Sequence, residues 1–361
     1  MTKNSKYNGI RIEYHILQTF PVTCLNRDDV GSPKSALIGG VNRQRISSQC
    51  WKRQVRLALR EEGVNLGIRT KNVSGKILSF IDNPTEAMKK KATEIAQGLV
   101  KKKKSNDKDE ENDKEDTLIF LSPIEYEKLA TIVKENSEKG TIETKKIINS
   151  LKNISSESMK NLEALDVALF GRMLANASDL NVAAATSFAH AITTHKAVSE
   201  ADYFTAIDDE KNDQGAGHID VNEFSSGTFY RYICLDLGVL ASSIGDDNVE
   251  NAIIIFTKAL FKAVPTGRQT TMTGFVPWDY AEILIRKGQP VQCSFDKPVK
   301  ACGEGYLIPS ILALQSDISL KKQLLGSLYG EIGSIIYGSS EKGITGIDDV
   351  LEYLSSKVKD I

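Results

Sequence analysis

The sequence is short of the residues that metal centres and disulfide frameworks require. Its 361 residues hold four histidines and five cysteines. The cysteines (Cys24, Cys50, Cys234, Cys293, Cys302) form no C-x-x-C, and an odd, scattered set does not make a disulfide scaffold. Reduced, mostly buried thiols are expected. His190 and His195 are separated by an odd interval, which sends them to opposite faces of a strand, so neither a metal nor another cofactor is expected. Nowhere do 18 apolar residues run together, which argues against a membrane-spanning helix. The opening segment Met1–Tyr7 lacks the apolar core of a signal peptide, so a cytoplasmic location without a membrane partner is expected.

Signatures of catalysis are also lacking. Gly338–Gly343 begins like a phosphate-binding P-loop, but Ile344 stands where the loop's lysine belongs, which leaves an ordinary loop. There is no G-x-G-x-x-G after a strand, no G-x-S-x-G and no H-E-x-x-H. Asp28-Asp29 and Asp208-Asp209 are carboxylate pairs of the kind that can hold Mg²⁺, although adjacent side chains diverge on a strand.

What is present is a globular chain. A hydrophobic share of 41% suffices for a sizeable core, and the length suits two domains or one large domain with insertions. Basic and acidic residues nearly cancel, 46 Lys+Arg against 47 Asp+Glu, which argues against indiscriminate coating of nucleic acid. Residues 10–17 alternate apolar and polar, the pattern of a half-buried strand. A loop is expected over 26–44 and a helix over 48–61, capped by Ser47 or Ser48. Helical spacing recurs over 86–99, 122–135, 142–152 and 157–169. Lys101–Asp116 is low-complexity, with 13 of its 16 residues charged and none apolar, and is expected to be a disordered, solvated loop. Strands are expected over 187–197 and 227–237, a helix over 248–264, extended chain over 268–276 and 282–295, and a last helix over 317–337. The class is α+β, a sheet domain interrupted by a helical insertion.

The charge is distributed unevenly. Residues 41–60 carry six basic residues (Arg43, Arg45, Lys52, Arg53, Arg56, Arg60) and no acidic one. On a helix, Trp51, Val55, Ala58 and Leu59 form an apolar stripe, while Lys52, Arg53, Arg56 and Arg60 fall on another side with Gln49. Guanidinium forks, an ammonium, hydroxyls and a helix N-terminus are thus collected in one segment, which suits phosphate. A solvated amphipathic helix is the plainer alternative, but a surface needing only solubility mixes charge signs. Residues 200–223 have the opposite sign, with eight acidic residues against Lys211 alone, and read as a projecting hairpin. Tyr203 and Phe204 lie within it without an obvious core partner, placed to stack on a base or to dock on a neighbour.

Several blocks, in order, resemble the CasC family, the backbone subunit of the type I-E CRISPR surveillance complex, Cascade. They are Cys24–Asp29, Ile38–Gly40, Arg45–Gln49 with Lys52-Arg53, Gly171–Met173, His190–His195, Asp202–Asp209, Glu223–Tyr232 and Gly267–Thr270. The resemblance implies an RRM-like (ferredoxin-like) palm over 1–60, 166–197 and 227–361, a helical fingers insertion over 61–165 and a protruding thumb hairpin over 198–226. It implies a non-catalytic scaffold whose copies polymerise head to tail along CRISPR RNA and present the guide to target DNA, beside other Cascade subunits. Arg27, Ser47, Gln49, Lys52 and Arg53 would contact the RNA backbone, with Arg43, Arg45, Arg56, Arg268 and Gln269 in the same set. Arg172, Met173, Phe204 and Thr205 would lie where a base is displaced at intervals. Such a protein grips phosphates and leaves base edges free, and the acidic hairpin would face basic residues of the next copy. Two other readings remain. Residues 47–59 also resemble the recognition helix of a helix-turn-helix regulator, which needs a short helix upstream. A metal-dependent RNA-cleaving relative would use Asp28 or Asp29.

Overall fold

The computed structural model describes residues 5–99, 118–138, 144–174, 177–206, 218–303, 305–340 and 343–361. The charged tract at 101–116 and the end of the acidic hairpin, with Asp208 and Asp209, lie outside the described residues. In chain order, β1 (Ile10–Thr23), β2 (Ser35–Ile38), β3 (Val41–Ile46) and α1 (Ser48–Glu61) come first. Next are β4 (Ile68–Thr70), α2 (Val73–Leu78), α3 (Glu86–Leu99), β5 (Ile119–Leu121), α4 (Pro123–Asn136), α5 (Thr144–Lys160) and α6 (Leu165–Phe170). Short strands β6 (Thr186–Phe188) and β7 (Ala191–Thr193) lead to β8 (Glu200–Ala206) and the long β9 (His218–Asp236). Then come α7 (Leu237–Ile244), α8 (Val249–Lys262), α9 (Gln269–Met272), β10 (Tyr280–Lys287), α10 (Leu307–Leu325), β11 (Glu331–Ser340), β12 (Gly343–Thr345) and α11 (Ile347–Lys359).

One unit comprises Gly9–Ala58, Ser187–Asp236 and Phe256–Ile361. Its sheet runs in the order β12-β11-β10-β1-β9-β7-β3-β2, with antiparallel neighbours throughout. In sequence α1 lies between β1 and β7, and α8 between β9 and β10. The inner strands β10-β1-β9-β7 therefore follow a β-α-β-β-α-β connectivity.

The sequence pattern predicts β1 to be half-buried over 10–17; it is longer and buried on both faces. On one face Leu17, Tyr230, Tyr232, Tyr280 and Leu284 pack with Leu314 and Ile318 of α10. On the other, Phe20, Phe229 and Ile46 pack with Trp51 of α1. The polar members of the alternation are thus not solvated. Glu13 receives Arg286 Nη1 at 2.5 Å, the Tyr232 hydroxyl at 2.9 Å and the Val291 N–H at 2.9 Å. His15 Nδ1 lies 2.9 Å from the Tyr230 hydroxyl, and burial, helped by the Lys321 and Arg286 charges, lowers its pKa to about 3.

The second unit takes in the chain up to Asn8, Leu59–Thr186 and Leu237–Ile255. Ile95, Leu99, Ile119, Leu121, Tyr126, Leu129, Val133 and Leu151 form its helical core. α4 begins with a capping box, Ser122 and Glu125 bonding reciprocally around Pro123 at the first helical position. The boundary between the helices expected over 142–152 and 157–169 lies later in the chain: α5 runs unbroken to Lys160, with Ser155 and Ser158 buried, and α6 begins at Leu165.

Other expectations are corrected nearer the C-terminus. The segment 317–337 is not one helix: α10 stops at Leu325 and β11 begins at Glu331. Gly330 makes that reversal at φ +59°, where an added Cβ would sit 2.0 Å from the Lys287 carbonyl oxygen. Residues 268–276, expected extended, contain α9, and Gly338, Ser339 and Ser340, expected as loop, pair as strand with Thr345, Ile344 and Gly343. The 26–44 segment, expected as loop, holds the β2–β3 hairpin. Along α10 and the turn after it, Leu312, Leu320, Leu324 and Leu328 remain exposed.

Two outcomes follow from the buried polar pairs. Glu13→Ala leaves the Arg286 charge unpaired and should cost about 3–5 kcal/mol in urea unfolding. His15 stays neutral when folded but takes up a proton when unfolded. Stability is therefore full above about pH 6.5 and declines as pH falls toward about 3. His15→Gln should flatten that part of a stability–pH curve.

Candidate nucleic-acid interface

α1 forms as its apolar stripe dictates: Trp51, Val55, Ala58 and Leu59 are buried, and Gln49, Arg53 and Arg60 are exposed. Ser47 caps it, its Oγ accepting the Cys50 N–H at 3.3 Å and its carbonyl the Trp51 N–H at 3.2 Å. No acidic residue lies in the first turn, so the remaining N–H groups and the positive end of the helix dipole stay available to an outside anion.

Two loops are pinned against this helix start. The Asn26 Oδ1 accepts the Ser47 N–H at 2.9 Å, and Lys34 is tied between Asn26 and Arg45 through backbone bonds of 2.9 and 2.7 Å. The loop between them is folded by Asp28, whose Oδ1 accepts the N–H groups of Val30 and Ser32 at 3.0 and 2.9 Å. Arg27 is exposed on this loop. The second loop approaches through Gly267, where an added Cβ would lie 2.8 Å from the carbonyl oxygens of Cys24 and Leu25. This places Arg268 and Gln269 beside residues 24–25. The Arg268 and Arg27 charges both oppose the rise that burial gives the Cys24 thiol pKa. Arg27, Ser47, Gln49, Arg268 and Gln269 thus converge on one edge of the unit.

The next patch of this surface is built from β3 and the β6–β7 turn. Arg45 Nη1 donates to His190 Nδ1 at 2.9 Å. Partial burial and the Arg45 and Lys34 charges lower the His190 pKa, which keeps that nitrogen an acceptor. Lys52 Nζ lies 5.7 Å from the centre of the Phe188 ring, and Arg56 follows one turn along α1. Lys34 and His190 are members of the surface that composition did not single out. Lys34 stood in a presumed loop, and His190 meets Arg45 from 145 positions away.

Two expected contacts are internal instead. Arg43 is fully buried, its guanidinium donating to the carbonyls of Thr193, Phe295 and Asp296 at 2.8, 2.9 and 3.4 Å. Arg172, in the helical unit, is 5% exposed and pairs with Glu125 at 2.8 Å while bonding Ser155 Oγ and the Leu180 carbonyl. Neither guanidinium reaches the surface, because buried carbonyls and a buried carboxylate claim it. Met173, one residue on, is 84% exposed.

β8 and the first part of β9 form the expected hairpin, with Tyr203 opposite Val221 and Phe204 opposite Asp220. Tyr203, Phe204 and Thr205 are all exposed, as are Glu200, Asp202 and Asp220. Residues on alternate positions share a face, so Glu200, Asp202 and Asp220 surround Phe204 on one side, while Tyr203 and Val221 occupy the other.

The helix-turn-helix reading is not supported by this geometry: what precedes α1 is a β-hairpin, not a short helix. Among the described residues no group of three His, Cys, Asp or Glu side chains is placed to hold a metal ion. His195 is buried, its ring stacked 3.7 Å from Tyr306 and its Nε2 accepting the Thr228 N–H. No helix among the described residues is long and apolar enough to cross a membrane.

Comparison with known proteins adds three findings. A family model described as CT1975-like protein matches residues 12–350. A solved chain described as "CRISPR RNA-guided surveillance complex, pre-nicking" superposes with a TM-score of 0.80 at 27% identity, covering 96% of this chain and 100% of that one. Another, described as "CRISPR RNA-guided surveillance complex", gives a TM-score of 0.68 at 23% identity, covering 97% and 100%, a likeness of fold alone. No curated protein matches.

The internal role of Arg172 has a direct consequence. Arg172→Ala strands Glu125 without its partner and should lower the melting midpoint markedly, by about 3–5 kcal/mol in unfolding free energy.

Proposed function

The chain belongs to the CT1975-like protein family, and we propose that it is a non-catalytic, RNA-binding backbone subunit of a CRISPR RNA-guided surveillance complex of the Cascade type. Its role is that of CasC in a type I-E complex: copies follow one another head to tail along the CRISPR RNA in the cytoplasm and hold the guide open for target DNA. The observation that carries the reading is the convergence of the Arg27 loop, the acid-free N-terminus of α1 and the Arg268 loop. All three offer donors suited to phosphate, and none offers a base-reading array.

In this reading the sheet unit is the RRM-like palm, the helical unit the fingers, and the β8–β9 hairpin the thumb. RNA is held by Arg27, Lys34, Arg45, Ser47, Gln49, Lys52, Arg53, Arg56, Arg268 and Gln269. Met173, Phe204 and Thr205 are the groups that displace a base, and Arg43 and Arg172 drop out because other groups hold them. The covered sheet supports a grip along the palm's edge, since Tyr230 and Tyr232, where an RRM would stack bases, are buried under α10. The exposed α10 leucines and hairpin aromatics support a chain that works within an assembly.

Expression with the guide and partner subunits should yield several copies on one RNA of defined length with a common 5′ end; a nucleic-acid-free monomer contradicts the reading. In binding titrations over a salt series, Arg53→Ala and Lys52→Ala should each reduce the slope of log affinity against log salt by about one.

A further inference from the structure

The described residues include four buried arginines, and three are accounted for: Arg43 by backbone carbonyls, Arg172 by Glu125 and Arg286 by Glu13. Arg231 is different. It is 2% exposed, and only Nη1 has an acceptor, Gln18 Oε1 at 2.7 Å. Its Nε and Nη2 have none among the described residues. Burial lowers its pKa to about 9, and no neighbouring carboxylate acts in the other direction. Its guanidinium carbon lies 3.6 Å from the centre of the Trp51 ring, over the ring face.

A buried cation is normally matched by a carboxylate, because leaving it unmatched is expensive. The Trp51 quadrupole offsets part of that. Trp51, however, belongs to the first turn of α1, where the helix dipole is positive and the outer surface is basic. The charge thus lies one side chain beneath the surface proposed for RNA, with low-dielectric protein between, so its field adds to that of the surface cations.

We propose that Arg231 is a positioning residue of the RNA grip: stacked beneath Trp51, it fixes the first turn of α1 and raises the positive potential there, and bound phosphate supplies the counter-charge that the protein withholds. The inference rests on the RNA-binding reading above. It gives the RNA-free chain an electrostatic penalty that RNA relieves, so binding and stability are coupled through a residue that touches no nucleotide.

The test uses the full chain, a guide-length CRISPR RNA at fixed salt, and melting with and without that RNA. Arg231→Met keeps length and apolar packing while removing the charge. Its RNA-free melting temperature should equal or exceed that of the wild type, while RNA affinity falls about five- to tenfold and the RNA-induced rise in melting temperature shrinks. Arg231→Lys restores the charge only while its buried ammonium stays protonated, so its affinity should approach wild type as pH is lowered toward about 6. Undiminished affinity in R231M overturns the inference, as does R231M being less stable than wild type without RNA, or R231K binding as poorly as R231M at every pH. In those cases wild-type binding leaves the RNA-binding reading standing. A wild-type chain that fails to hold this RNA overturns both.

Discussion

The central sheet is covered on both faces, and the way the sheet unit presents itself follows from that constraint. Helix α10 lies over one face and α1 over the other, so a strand such as β1 has no solvated side. Its polar residues find partners inside, which is why Glu13, Arg286 and Tyr232 bond to one another. The same covering removes the flat aromatic platform on which an open sheet would stack bases. What remains open to a ligand is edges, loops and helix ends. Those places hold backbone N–H groups and flexible cations, chemistry that suits phosphate better than base edges.

The distribution of arginine follows the same logic. Residues 41–60 carry six basic side chains, yet Arg43 faces inward to carbonyls that include Phe295, 252 positions away. What looks from composition like one block of positive charge is two populations. One set braces the hairpin and the sheet; the other, Arg45, Arg53 and their neighbours, faces outward. The acidic hairpin separates its chemistry by strand alternation, with carboxylates around Phe204 on one face and Tyr203 with Val221 on the other. Near-neutral total charge is therefore compatible with a strongly signed local surface, because opposite signs occupy different elements.

Legibility in the sequence tracked the range of the interactions involved. α1 could be read to its boundaries because its cap, its stripe and its charged side all lie within fourteen residues. The β8–β9 hairpin was legible for the same reason, both strands being local. The β2–β3 hairpin was not: Gly39-Gly40 reads as loop, and the strands on either side have only four and six residues. The α10–β11 boundary was missed because leucine and isoleucine continue through it, while the stop is enforced by Gly330 against Lys287, a contact across the sheet. The roles of Arg43, Arg172 and His190 depended on partners 47 to 252 residues away, and no periodicity reports such distances.

Asp28 shows how the same geometry bears on chemistry. A carboxylate poised for metal-assisted hydrolysis must direct its oxygens toward a shared cation, usually beside other acidic ligands. Asp28 instead commits Oδ1 to two backbone N–H groups of its own loop, a turn-forming use that holds Arg27 outward next to the start of α1. Removing that carboxylate would first release the loop and only then affect any chemistry. The acidic residue in the most basic region of the molecule is thus a folding device for its neighbouring cation. The carboxylate keeps its charge while it does so: together with burial, it acts to raise the pKa of the neighbouring Cys24 thiol, against the pull of Arg27 and Arg268.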